Sequence, residues 1–244
     1  MINKNKLQSF ISKYYLNEFN QAKWVIKDSK LAVHVGSGGV AAGVYINDFP
    51  IENAVLGVYD SSKLQKLISI TSGDLLLGTE SQGELSRKLL VNDANFELSY
   101  SLSSPEVIPK INWFKDVEWD MELDLSRDDI DNLLKAKNAL SEYSTLVLEG
   151  IKDLDGKLVC QFTFGDNTDF SSKVTYQIEG DISEDFLMLQ IPFDSQRFKE
   201  ILNVNKDSDS TKLYLSTKGL AKFTFDNEDI SSIYFITRNE QIID

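Results

Sequence analysis

The segment Asp60-Ser-Ser-Lys-Leu-Gln-Lys-Leu-Ile-Ser-Ile70 occurs a second time, in altered form, as Asp194-Ser-Gln-Arg-Phe-Lys-Glu-Ile-Leu-Asn-Val204. Both copies begin with Asp-Ser, a pair typical of helix caps, and both place apolar residues at the spacing of one helical stripe. Each copy also follows a short apolar strand, at 54–59 or at 186–193. A helix repeated in the same strand context predicts two copies of one domain.

The sequence around the two copies predicts the same order of elements twice in each half of the chain. A helix over 4–17 precedes the first copy, and a helix from 127 to about 142, capped by Ser126, precedes the second. Short strands fill the intervals, among them 96–102, 173–179 and an alternating strand over 117–125. Each half is thus a doubled β-α-β-β-β pattern, with the first opening strand almost absent. This pattern predicts an α+β fold of two similar domains.

A stretch near the middle of the chain, Ser103-Ser-Pro-Glu-Val-Ile-Pro-Lys110, contains two prolines and has no hydrophobic period. Such a stretch is typical of a linker. We therefore expect an N-terminal domain over 1–103, an interdomain connector over 104–116 and a C-terminal domain over 117–244.

Composition excludes several classes of protein. No apolar run reaches the length of a membrane span, which argues against a membrane partner, and the polar residues 1–6 do not form a secretory signal. The single cysteine, Cys160, allows no intrachain disulfide and favours a reducing compartment. The net charge of −13 repels phosphate, so the surface as a whole disfavours nucleic acid.

The charge is unevenly distributed along the chain. The four predicted helices together carry +3, which leaves −16 for the remainder. Basic helices on an acidic body predict that the helices face phosphate while the sheets carry the acidity. Lysines placed on helix surfaces for solubility would produce the same count.

No pattern in the sequence indicates an active site. Gly36-Ser-Gly-Gly39 lacks the Gly-Lys-Ser/Thr ending of a phosphate loop, His34 is the only histidine, and Cys160 lies in an apolar strand. One strand carries an acidic face, which is a solvated surface or a cation site; its residues are Glu118, Asp120, Glu122 and Asp124. We predict no catalytic residue, no metal and no cofactor, and therefore a protein that is not an enzyme.

In segments 58–70, 125–135 and 212–225, and in the order of its elements, the chain resembles the DNA polymerase sliding clamps, most of all the T-even-type bacteriophage clamp. The resemblance implies a homotrimeric ring of six domains that encircles duplex DNA, with helices lining the hole and sheets outside. It also implies that Lys13 and Lys135 match basic positions of the inner helices. Helix geometry adds further candidates for DNA contact, namely Lys6, Lys63, Lys66 and Arg197.

The resemblance also implies how the subunits would join and where partner proteins would bind. The last strand of one domain would pair with a strand of the next chain; the candidate interface residues are Phe96, Leu98, Tyr100, Val174, Tyr176 and Ile178. Apolar partner peptides would bind near the connector and the final strand, at Ile111, Trp113, Phe114, Tyr234 and Phe235. Packing of core aromatics would explain the same residues equally well.

The implied partners are double-stranded DNA, bound without sequence preference, a DNA polymerase, an ATP-dependent clamp loader and transcription factors of the phage late programme. The implied location is the cytoplasm of an infected bacterial host. A β-rich viral structural or assembly protein with internal duplication, which does not encircle DNA, is the alternative that the sequence leaves open.

Overall fold

The computed structural model describes residues 1–83, 85–111, 113, 117–165 and 172–239. The chain forms two compact units. The first comprises Met1–Ser37, Ala41–Trp113 and Glu228–Ser232, and the second comprises Gly38–Val40, Phe114–Asn227 and Ile233–Asp244. The sequence-based domain bounds at 103 and 117 stay a prediction.

Within the described residues, two helices and eight strands build the first unit. Its elements are β1 (Ile2–Asn3), α1 (Lys4–Tyr15), β2 (Ala22–Lys27), β3 (Lys30–Ser37), β4 (Val40–Ile46), β5 (Ala54–Val58), α2 (Ser61–Ser69), β6 (Asp74–Gln82), β7 (Leu85–Asn92) and β8 (Glu97–Ser101). The strands form an antiparallel sheet of order β1-β6-β7-β8 and a second layer of order β5-β2-β3-β4. The edge strand β8 is therefore paired on one side only.

The second unit repeats this plan. Its elements are β9 (Met121–Asp124), α3 (Arg127–Ala139), β10 (Thr145–Lys152), β11 (Leu158–Gly165), β12 (Lys173–Glu179), β13 (Asp181–Ile182), β14 (Gln190–Asp194), α4 (Ser195–Val204), β15 (Ser210–Ser216), β16 (Leu220–Asp226) and β17 (Ile230–Thr237). One sheet has the order β12-β11-β10-β14, and the other runs β13-β9-β15-β16-β17. The predicted α+β fold and its internal duplication are confirmed.

Several predicted elements are shorter in the structure. Helix α1 ends at Tyr15 because Leu16 and Asn17 have φ values of 45° and 55°, in the left-handed region that terminates helices. Helix α3 ends at Ala139 rather than near 142, and only Met121–Asp124 of the alternating stretch forms a strand. The apolar run before α4 contains a 3-10 turn and a left-handed Met188, so β14 begins only at Gln190.

Each pair of helices packs through a polar cluster at its base. In the first unit, Trp24 Nε1 donates to Tyr14 Oη at 3.2 Å, and Tyr14 Oη lies 3.1 Å from Ser61 Oγ. In the second unit Lys137 occupies the position equivalent to Tyr14. Its Nζ donates to the carbonyl of Tyr143 at 2.9 Å, which also accepts from Ser195 Oγ. The serine of the first unit donates to a backbone carbonyl in the same way, that of Asn20 at 2.9 Å, so the two units keep the serine and its carbonyl partner and differ in the tyrosine or lysine beside it.

No helix in the described part of the chain is both long and apolar enough to cross a bilayer.

Candidate nucleic-acid interface and assembly edges

Three lysines project from helices into solvent. Lys63 and Lys66 are exposed on α2, on the side away from the buried residues Leu64 and Ile68. Lys135 is exposed on α3, where its ammonium lies 3.5 Å from Asn132 Oδ1. These side chains keep a mobile positive charge at a helix surface, as a sequence-independent phosphate contact requires.

Two other predicted DNA contacts already bind groups of their own unit. Lys6 forms an ion pair with Asp229 at 2.6 Å and its side chain is 19% exposed. Arg197 donates from Nη1 to the carbonyl of Gly38. Both cations would have to give up a protein partner to reach phosphate, so they are weaker candidates than Lys63, Lys66 and Lys135.

Lys13 is a correction to the sequence-based assignment. The residue is 1% exposed, so its ammonium cannot contact DNA while the unit stays folded. Lys137, on the equivalent face of α3, is buried too and donates to the carbonyls of Leu140, Ser141 and Tyr143. A helical wheel places such lysines beside the apolar stripe. It does not show which backbone carbonyl groups lie close enough to accept hydrogen bonds from the ammonium.

Sequence reasoning missed the role of Lys4. Its ammonium donates to the carbonyl of Ser69 at 2.8 Å and also to that of Thr71, where α2 ends. A cation at the carboxyl end of a helix satisfies free carbonyls and complements the helix dipole. The only sequence signal was the lysine at the start of α1, which does not identify a partner 65 residues away.

The strands predicted to join subunits, β8 and β12, both lie at the end of a sheet. Tyr100 is buried, and its hydroxyl donates to the carbonyl of Asp60 at 3.0 Å. Tyr176 donates from its hydroxyl to Asp129 Oδ1 at 2.8 Å. Each edge strand is therefore tied by a tyrosine to the beginning of a helix in its own unit.

The predicted interface side chains differ in how exposed they are to a neighbouring subunit. Phe96 precedes β8, is 41% exposed, and donates its amide to Asp93 Oδ1 at 2.6 Å within a turn. Ile178 is buried on β12, whereas Leu98 on β8 and Val174 are partly exposed. The exposed side chains of both strands belong to the odd-numbered residues, which the sequence-based prediction did not select. These residues are Glu97, Ser99, Ser101, Lys173, Thr175, Gln177 and Glu179.

Ile111, one residue of the predicted peptide site, lines an open cavity of about 310 Å³ in the first unit. Ile108, Pro109 and Ile111 line one part of it, and Phe19 and Val35 are also in its lining. The lining also includes the polar residues Glu18, Asn20, Gln21 and Ser37, so the cavity offers apolar surface beside hydrogen-bonding groups, a combination that suits a peptide with an apolar side chain.

Trp113 packs elsewhere in the first unit, with its ring 4.8 Å from that of His34. It fits above Gly43, where an added Cβ would come within 2.9 Å of the indole. Tyr234 and Phe235 are 0% and 6% exposed, so the assignment of both to an open pocket is wrong. Phe114 lies outside the described residues.

Three titratable groups outside these surfaces, Lys212, Cys160 and His34, have structural environments that account for them. Lys212 binds Glu122 at 2.6 Å and Asp124 at 3.4 Å. Burial raises the pKa of the Cys160 thiol, which keeps it protonated and unreactive. His34 Nε2 lies 2.8 Å from Tyr45 Oη, and burial lowers its pKa. No group of three or more metal-binding side chains occurs within the residues that the structure covers.

Comparison with known proteins gives a match in structure and none in sequence. No protein-family model and no curated protein matches the chain. The crystal structure of proliferating cellular nuclear antigen (PCNA) from Entamoeba histolytica matches with a TM-score of 0.75 and 14% identity, over 97% of this chain and 96% of that one. The A. fulgidus PCNA, solved with the C-terminal region of FEN-1 bound, matches with the same score and identity over 99% and 98%. The chain therefore has the fold of the PCNA-type sliding clamps.

Proposed function

We propose that this protein is a sliding clamp, a homotrimeric ring that encircles duplex DNA and tethers a replicative DNA polymerase. The observation that carries the proposal is the fold match to two PCNA structures over nearly the full length of both chains. A likeness of this extent makes the two units equivalent to two clamp domains, so three chains would supply a six-domain ring.

The sheet edges also support the ring. Strands β8 and β12 each lie at the end of a sheet. Antiparallel pairing of β8 with β12 of a second copy would cover both edges, which would otherwise be open to unwanted pairing.

The charge distribution supports a sliding contact with DNA. Lys63, Lys66 and Lys135 offer positive charge from helices, on a chain whose net charge is −13. A few exposed cations give weak binding to phosphates without reading bases, while the acidic remainder repels DNA. This combination favours a ring held by its closed shape rather than by affinity.

The proposed partners follow from the fold and from the cavity. FEN-1 binds the A. fulgidus clamp through its C-terminal region. By analogy, we infer that an apolar peptide of a polymerase or clamp loader binds this chain at the cavity lined by Ile108 and Ile111. The loader would hydrolyse ATP, and this chain would act without catalysis. From the resemblance of segments 58–70, 125–135 and 212–225 to the T-even-type clamps, we also infer a phage ring in the host cytoplasm, with late transcription factors as further partners.

A topological experiment tests the ring. A duplex is fixed to beads by one end, the protein is added, and an antibody then blocks the free end. We expect protein to resist a high-salt wash while the end is blocked and to be released once a restriction enzyme cuts the duplex. Protein that stays bound after cutting, or that washes away from the blocked duplex, would contradict encirclement.

A further inference from the structure

Strand β5 has a backbone edge that the rest of the chain covers only in part. The strand lies at the end of its sheet and pairs with β2 on one side. On the other side, the amide and the hydroxyl of Ser103 both donate to the carbonyl of Gly57, at 2.9 and 3.1 Å. The backbone groups of Gly57 thus point away from β2. Because these directions alternate along a strand, the amide and carbonyl of Val55 point away from β2 as well.

The chain leaves this edge before it reaches Val55. Ser103 is antiparallel to β5, so continued pairing would put Pro105 opposite Val55. Proline has no amide to donate, and Pro105 begins the 3-10 turn Pro105–Val107. In the described part of the chain, Gly57 is the one residue of β5 that is bridged on this side. Val55 is 44% exposed, so its outward amide and carbonyl are accessible to an incoming strand.

A cavity of about 410 Å³ in the first unit adjoins the open part of β5. Its lining comes from residues 50–55 and from strands β6 and β7. Along β6, the face that buries Leu75 and Leu77 continues with Thr79 and Ser81, which are partly and fully exposed. The cavity therefore lies where the apolar core between the two layers ends and hydroxyl groups begin.

An added strand would direct alternate side chains into this cavity. A residue that pairs with Val55 places its side chain on the exposed face of β5, beside that of Val55. Its neighbours along the added strand point to the opposite face, where Leu56 is buried and where Thr79 and Ser81 line the cavity. One incoming side chain would thus enter the cavity while the backbone beside it pairs with β5.

The chemistry of the cavity favours a cationic side chain. Among the described residues of its lining, Glu52 is the one that carries charge, and it is exposed. The hydroxyls of Ser81 and Ser86 lie 3.3 Å apart in the same lining and can accept hydrogen bonds from an ammonium or guanidinium group. The neighbouring cation of Lys88 is paired with Glu80 at 2.9 Å and leaves Glu52 to an incoming group.

We propose that β5 binds an extended, basic segment of a partner protein, which pairs with the backbone of Val55 and places a lysine or arginine side chain in the cavity beside Glu52. Such strand addition takes its affinity from main-chain hydrogen bonds and its specificity from pockets for alternate side chains. The net charge of −13 attracts a basic segment from a distance. The site shares no described residue with the cavity at Ile108 and Ile111, and it does not require the ring proposed above.

Fluorescence anisotropy with short labelled peptides tests the site on the full chain. The probe is the peptide Thr-Val-Lys-Val-Thr with blocked termini, in which either valine can pair with Val55 while the lysine faces the cavity. Replacement of this lysine by glutamate should weaken binding at least about fivefold, because it sets a second carboxylate beside Glu52. Equal affinities of the two peptides, or no binding of the lysine peptide at about 1 mM, would overturn the proposal.

Two substitutions test the two contacts separately. Glu52→Gln should weaken binding of the lysine peptide about two- to fivefold, as expected for an exposed ion pair, and should not affect a peptide with leucine in place of lysine. Val55→Pro removes the outward amide at an edge position that tolerates proline, and it should weaken binding of both peptides about three- to tenfold. Val55→Thr keeps the amide and the branched side chain, and as the control it should bind like the wild type.

Hydrogen exchange of the wild type supplies a readout that does not depend on the folding of any variant. Saturating lysine peptide should slow exchange of the Val55 amide and leave unchanged that of Leu56, which is paired with β2. An unslowed Val55 amide would overturn strand pairing at β5, and unchanged affinity in Glu52→Gln would overturn the ionic contact. Trimeric protein that does not bind the peptide would overturn this site and leave the proposed ring intact.

Discussion

At the scale of single residues, the decisive feature is which lysines keep their charge in water. Lys63, Lys66 and Lys135 are exposed on helices, while Lys13 and Lys137 are buried. Transfer of an ammonium from water is costly unless carbonyl groups replace the water that it gives up. Lys137 has three such carbonyl partners. Five lysines of similar appearance in the sequence therefore divide into a solvent-facing class and a structural class.

Reversal of charge at Lys13 should unfold the protein rather than weaken its DNA contact. We expect Lys13→Glu to reduce the free energy of unfolding by about 3–5 kcal/mol, because it buries a carboxylate where the protein holds a cation. Lys63→Glu, at an exposed site, should change it by less than about 0.5 kcal/mol. Urea unfolding followed by circular dichroism measures both. Equal stability of the two variants would show that the position of Lys13 is open to solvent.

Reversal of the exposed lysines should weaken binding to DNA. We expect Lys63→Glu, Lys66→Glu and Lys135→Glu each to make the plot of log affinity against log salt shallower, by about one unit for each phosphate that is no longer neutralised. Fluorescence anisotropy with a labelled duplex at several salt concentrations measures the slope. Lys30→Glu, a change at the exposed first residue of β3, is the control and should leave the slope unchanged. The assignment fails if Lys30→Glu has as large an effect.

His34 should make the protein less stable in mild acid. Burial holds the pKa of His34 below that of an unfolded histidine, so between the two values the unfolded chain binds more protons. The stability should therefore fall as pH decreases from about 6.5 towards the folded-state pKa. His34→Gln should reduce this fall, because no other histidine is present. Urea unfolding between about pH 7 and about pH 5 measures the loss of stability in both proteins. Identical pH dependences of the wild type and His34→Gln would contradict the prediction.

At the scale of elements, each assembly edge depends on the helix behind it. Asp129 closes the capping box of α3 with Ser126 and also accepts the hydroxyl of Tyr176 on β12. On β8, the hydroxyl of Tyr100 binds the backbone of Asp60, which caps α2. A strand paired on one side only is held more weakly than an inner strand, so these hydroxyls restrain the edges that a second copy would meet.

Removal of the Tyr176 hydroxyl should loosen β12. We expect Tyr176→Phe to lower the free energy of unfolding by about 1.5–3 kcal/mol, since it removes the hydrogen bond to the charged Asp129 and the one accepted from Asn132 at 3.3 Å, while the ring remains. Urea unfolding measures this change, and hydrogen exchange should show faster exchange in β12 than in β10. Tyr143→Phe, a partly exposed tyrosine outside the strands, serves as control. Unchanged exchange in β12 would mean that the hydroxyl does not restrain the edge.

At the scale of the whole molecule, the charge of −13 sets opposite salt dependences for assembly and for DNA binding. Assembly brings three acidic chains together, so screening of their repulsion should favour the trimer. Contact with phosphate releases counterions and should weaken as salt increases. The proposed ring thus contains two charge effects of opposite sign.

Sedimentation and anisotropy measured over the same salt series test this expectation. Between about 0.05 and about 0.5 M salt, we expect the trimer to dissociate less and the affinity for a short duplex to fall. Neutralisation of Glu97 by Glu97→Gln should reduce the salt effect on assembly and leave that on DNA binding unchanged. Parallel salt dependences of both processes would contradict the division of charge between helices and sheets.

The sequence by itself determined the architecture. The repeat at Asp60 and Asp194, the apolar periods and the central proline stretch predicted a duplicated α+β chain, because local patterns of burial and capping are encoded along the chain. The resemblance to the sliding clamps also indicated β8 and β12, which the structure places at sheet edges. Its weak points were element ends, such as α1 and β14, where single residues of positive φ override the apolar pattern.

Only the tertiary structure decided which side chains are exposed and which are buried or engaged with a partner in the same chain. It buried Lys13, Tyr234 and Phe235, engaged Lys6 with a residue 223 positions away, and selected the exposed row of β8 and β12. Exposure and pairing depend on groups that approach from distant parts of the chain, and no local period records them. The fold was therefore predictable from neighbouring residues, whereas the side chains that are exposed on the helices and on the two edge strands were not.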